Sequence, residues 1–167
     1  MAVQSLENDY TKKNPLDLLE EIVKQNRWPF SRTSEKELVA RFSGNFCEYN
    51  LCFGWVSTCS SMQFSCSYDL RVPERKIDKV SLLICLINDR LVMGHFNLSP
   101  HQGELSYRYT IPLRGLQSAS VEQLEDIVDY ALSESERYYS SFQHIMWGGG
   151  DPNKALQSAI LETVGEA

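Results

Sequence analysis

Between Ser61 and Arg71 the sequence alternates without a break. Met62, Phe64, Cys66, Tyr68 and Leu70 are apolar, and Gln63, Ser65, Ser67, Asp69 and Arg71 are polar. A helix cannot gather such a set onto one side, because its period is 3.6 residues and not 2. The segment therefore predicts an antiparallel strand with one face buried and the other in water. Residues 46–56, just upstream, place Cys47, Tyr49, Leu51, Phe53 and Trp55 on alternate positions. A hairpin turning at residues 57–60 joins the two. Setting both apolar groups on one face requires odd-numbered residues of the first strand to pair with even-numbered residues of the second. Cys52 and Cys66 then lie on opposite sheet faces. A slip of one residue would align them, but it would turn a whole apolar set to water, so a Cys52–Cys66 disulfide is not expected.

Helices flank this hairpin. Asn14-Pro15 opens the first, with Asn as cap and Pro at the first helical position; Leu16, Leu19, Ile22 and Val23 share its inner face. Residues 37–43 read as a further short strand. Pro73 begins a second helix running to about residue 90, with Ile77, Val80, Leu83, Ile84 and Ile87 as its broad apolar face. Leu82 and Leu86 are one turn apart and point about half a turn away from that face. Such residues call for a covering helix or a second subunit, so they are the candidate dimer interface. Residues 93–98 and 105–112 read as two more strands around a loop at 100–103. Ser120 and Gln123 form a capping box for a long third helix, with a break expected near Ser140-Ser141. Gly148-Gly149-Gly150 ends it, and Asp151-Pro152 opens the last helix. Strands and helices are segregated along the chain. The fold class is therefore α+β: an antiparallel sheet of about five strands with helices packed on it. Residues 1–13 read as a flexible polar tail and 14–167 as one domain.

Composition narrows the function. A net charge of −6 repels nucleic-acid phosphates and anionic lipid surfaces. The longest apolar run, Leu82 to Ile87, falls far short of the roughly 20 residues of a membrane span. The first residues, MAVQSLENDYTKKN, lack the apolar stretch of a signal peptide, which makes the cytoplasm the expected compartment. The five cysteines form no C-x-x-C pair and read as reduced thiols. His95, His101 and His144 lie in different elements, and no H-E-x-x-H or G-x-S-x-G pattern occurs. His95 reads as a partly buried, hydrogen-bonded strand residue. The glycine run could cradle a phosphate, but it follows a helix C-terminus and precedes an aspartate, which fits helix punctuation better. The acids between Glu122 and Glu136 read as a solvated face. Tyr138, Tyr139 and Trp147 belong to an aromatic concentration near one helix end. Most of it is expected in the core, and any exposed member is a candidate partner-binding anchor. No catalytic, cofactor or metal site is assigned. The competing reading is a small-molecule or metal-binding sensor or enzyme using the cysteine-rich strands and His95, with Cys52, Cys59 and His101 as conceivable ligands.

The C-terminal half carries a resemblance. Met93-Gly94-His95-Phe96, the stretch from Ser120 to Asp126, Ser135-Glu136-Arg137-Tyr138-Tyr139, Phe142-Gln143, Trp147-Gly148-Gly149 and the closing ALQSAILETVGEA are similar to the YbjN family, described as bacterial sensory transduction regulators. The likeness runs from about residue 14 to the end and is most specific after Ser120. It implies a twisted antiparallel sheet like that of type III secretion chaperones, a homodimer, an unidentified protein partner, and regulatory or chaperone-like work without catalytic residues. The cysteine-rich hairpin is not a family feature, and Asn97 stands where the family often has aspartate.

Overall fold

The computed structural model describes residues 14–116 and 119–164. The predicted tail at residues 1–13 lies outside them. The elements run α1 (Pro15–Gln25), β1 (Phe30–Ser34), β2 (Glu37–Ser43), β3 (Glu48–Val56), β4 (Ser61–Arg71), a single 3₁₀ turn at Glu74–Lys76, α2 (Ile77–Asn88), β5 (His95–Leu98), β6 (Glu104–Pro112), α3 (Val121–Gln143), a π-helical turn at His144–Gly148, and α4 (Pro152–Val164). The strands form one antiparallel sheet in the order β1-β2-β3-β4-β6-β5. The chain leaves β4 through α2, lays β5 at the far edge and returns as β6 into the gap.

The hairpin register is the expected one. Leu51 pairs with Cys66 and Phe53 with Phe64, while Cys52 faces Ser65 on the other side. The alternation continues across the sheet, so Leu38, Leu51, Phe64, Tyr107 and Phe96 are all buried beneath the helices. α1 packs on β2 and β3, α2 on β5 and α4, and α3 on β6 and α4. Among the described residues no helix covers the opposite sheet face, which shows Arg41, Asn50, Gln63, Arg108 and His95 to solvent.

Local chemistry fixes the element ends. Asn14 caps α1 through its side chain, with Pro15 at the first helical position. Arg32 of β1 bonds Asp17 at 2.8 Å and Glu20 at 2.9 Å, tying the edge strand to α1. At the other edge Asn88, the last residue of α2, bonds both backbone groups of Phe96 at 2.8 and 3.1 Å. That clamp satisfies edge groups that could otherwise recruit another strand. Ser120 and Gln123 make the capping box reciprocally.

The expected α+β class, an antiparallel sheet with helices packed on it, is the observed one. The sheet has six strands: β1, with the polar sequence FSRTS, has no alternating apolar set and is specified by its pairing with β2. One expectation about α3 needs correction. The third helix does not break at Ser140-Ser141. Ser141 sits buried in its continuous length and donates its hydroxyl to the Ala155 carbonyl of α4 at 2.9 Å, so a polar residue there joins two helices. The irregularity falls later, in the π-turn, which Gly149 closes in the left-handed conformation at φ 70°.

Candidate interaction surfaces

The second helix meets the glycine run. Lys79 donates from Nζ to the Gly149 carbonyl at 3.1 Å. Leu82 lies one turn beyond Lys79 and is 49% exposed; Trp147, two residues before Gly149, is 68% exposed. Two large exposed apolar side chains thus lie within a few residues of one polar junction. Cys85, also exposed, continues the outer side of α2, being three residues from Leu82. Leu86 is half-buried and packs against the core. The outward pair named from the sequence is therefore split: Leu82 faces solvent, and Leu86 is partly covered within the chain. The predicted aromatic group divides in the same way. Tyr138 and Tyr139 are buried, Tyr138 edge-on to Phe96. Burial leaves Trp147 as the member of that trio able to meet a partner.

An exposed aromatic not singled out from the sequence is Phe46, which stacks on Tyr139 with centroids 5.1 Å apart. Its loop is anchored by the Asn45 N–H donating to the Glu136 carboxylate at 3.0 Å. Gly44 makes that approach possible, since a Cβ there would collide with Glu136 and the Tyr49 ring. Glu136 and Glu134 are thus partly or fully buried, unlike Glu122, Glu125, Asp126 and Asp129, which form the solvated face expected of this helix. No spacing rule reveals the Glu136 contact, because it joins residues 91 positions apart.

The glycine run punctuates helices. Asp151 accepts from the N–H groups of Asn153 and Lys154 at 3.0 and 3.2 Å, filling the N-terminus of α4. The histidine and cysteine reading meets a geometric obstacle. Register places Cys52, Ser65, Arg108 and His95 in one row across four strands, so Cys52 and His95 are about 14 Å apart at the usual strand spacing. His95 is exposed rather than partly buried, because its position on β5 falls on the uncovered face. Among the described residues no group of three or more His, Cys, Asp or Glu side chains is placed to hold a metal ion.

All five cysteines are free thiols. Burial pushes the Cys66 thiol up to about 12, and burial raises Cys47 and Cys52 as well. Since the thiolate is the reacting form, a chromogenic disulfide reagent is expected to titrate exposed Cys59 and Cys85 quickly and Cys66 only after unfolding. Fast reaction of Cys66 in the native protein would contradict this packing.

An antiparallel sheet with helices packed on one side defines an α+β domain. The chain belongs to the YbjN family, whose model, described as "Putative bacterial sensory transduction regulator", matches residues 15–144. No curated protein and no solved structure matches the chain. No helix among the described residues is long and apolar enough to cross a membrane.

Proposed function

We propose that this protein is a non-catalytic regulatory module that works by binding protein, in the cytoplasm, as a homodimer. The observation that carries the reading is the pair of exposed apolar side chains, Leu82 and Trp147, each within a few residues of the Lys79–Gly149 contact. Large apolar groups beside a rigid junction are the usual anchors of an interface, and tryptophan is prominent among hot spots. The family's description as a sensory transduction regulator supports the regulatory part. Chaperone-like capture of a second, unidentified protein is the further step of the same proposal, with the exposed Phe46 as an additional contact.

Light scattering on the eluting protein tests the dimer. The wild-type chain is expected at twice its own mass and Leu82→Glu at the monomer mass, with unchanged far-UV circular dichroism because the Leu82 side chain is half in water already. Trp147→Ala is expected to weaken association by about 2 kcal/mol or more, roughly thirtyfold in Kd. A wild-type chain that stays monomeric at high micromolar concentration overturns the proposal.

A further inference from the structure

The uncovered face of the sheet is not uniform. Pairing of β4 with β6 runs in step through Ser67 and Ser106, then resumes at Arg71 and Glu104, so four residues of one strand advance against two of the other. An irregularity of this kind bends its strand and re-aims side chains. Beside it lies an open hollow of ≈ 350 Å³, at the small end of the roughly 300–1,000 Å³ range of small-molecule sites.

Its lining is charged. Arg41 comes from β2, Glu48 from β3, Asp69 and Arg71 from β4, and Glu104 from β6. None of these five is ion-paired among the described residues. Glu48 and Asp69 each directly follow the last β3–β4 pair, Tyr49 with Tyr68, and both line the hollow; like charges brought close across an antiparallel pair are destabilising. A cation placed between them would relieve that repulsion. The guanidinium groups offer the complementary chemistry, forked donors that match a carboxylate. Asn50 and Ser67, paired across β3 and β4, supply neutral hydrogen-bonding groups within the same lining. Three carboxylates against two guanidiniums leave one negative charge in excess.

We propose that this hollow binds a small zwitterion of the amino-acid class, with a basic amino acid as the best match. The α-carboxylate would meet Arg41 or Arg71, an ammonium group would lie between Glu48 and Asp69, and the second positive charge would neutralise the excess. This goes beyond the protein-binding role and stands independently of it: the hollow is on the opposite side of the sheet from α2, so a dimer through Leu82 leaves it open.

Calorimetric titration of the full chain at low salt tests it. Free arginine or lysine is expected to give a saturable heat in the millimolar range or tighter. Agmatine, which is arginine without its carboxylate, is expected to bind about tenfold more weakly, the worth of a charge-assisted bond. Arg71→Met and Asp69→Asn, both exposed substitutions, are each expected to weaken arginine by a similar factor with circular dichroism unchanged. No saturable heat from either amino acid, agmatine binding as well as arginine, or a double Arg71→Met/Asp69→Asn variant binding like wild type would each overturn the assignment.

Discussion

Phe96→Ala is expected to cost about 3–5 kcal/mol, the usual range for emptying a buried phenylalanine site. Phe96 is 1% exposed. Its ring meets Tyr107, Phe142 and Tyr138 at centroid distances of 5.6, 5.5 and 6.0 Å, so one side chain joins β5, β6 and α3. Its backbone is also what Asn88 clamps, and the lost ring removes the packing that holds the short strand in place for that clamp. Against a total stability of roughly 5–15 kcal/mol, this is a large fraction. Chemical denaturation would read it as a lower midpoint at unchanged slope. A cost below about 1.5 kcal/mol would mean that β5 is not packed as described.

Gly103→Ala is expected to cost about 2–4 kcal/mol. Gly103 has φ +65°, and a Cβ there would collide with the Val72 carbonyl oxygen. The left-handed conformation alone costs an alanine roughly 1–2 kcal/mol. The collision adds to it, because the obstacle is backbone and cannot swing aside. That backbone is held by the Val72 N–H donating to the Gly103 carbonyl at 2.8 Å, and the Gly103 N–H bonds Ser99 at 2.8 Å. The turn therefore ties the β5–β6 hairpin to the end of β4. Gly115 is the control, with φ +86° and nothing among the described residues within 4 Å of its would-be Cβ; Gly115→Ala is expected to show the conformational cost only. Equal costs at the two positions would remove the argument for a tight β4–hairpin junction.

Local pattern made much of this fold legible. The strict alternation of β4 set the hairpin register and placed Cys52 away from Cys66, and Asn14, Ser120 and Gly149 marked helix ends through well-understood capping chemistry. What stayed hidden depends on contacts between distant residues. β1 is held by its neighbours and by Arg32 on α1, so its own sequence gives no signal. Ser141 looked like a weak point because the partner that satisfies it lies on another helix. The same limit applies to the surfaces. Leu82 could be read as outward from helical period alone, but the shielding of Leu86 and the burial of Tyr138 and Tyr139 follow from how α2, α3 and α4 meet. The charged hollow was least legible of all. Arg41, Glu48, Asp69, Arg71 and Glu104 come from four strands, and the hollow they line lies beside the β4–β6 irregularity.

In the proposed homodimer the outer side of α2, around Leu82, meets a second copy of the chain. Cys85 provides a direct readout, since it is exposed on that side and a two-fold interface sets a residue near its axis against the same residue of the partner. Short bis-maleimide cross-linking of the reduced protein is expected to give a covalent dimer. Cys59→Ser should keep it, whereas Cys85→Ser and Leu82→Glu should each abolish it. A wild-type chain that remains uncross-linked at high micromolar concentration, or a dimer that survives Cys85→Ser, would contradict the account.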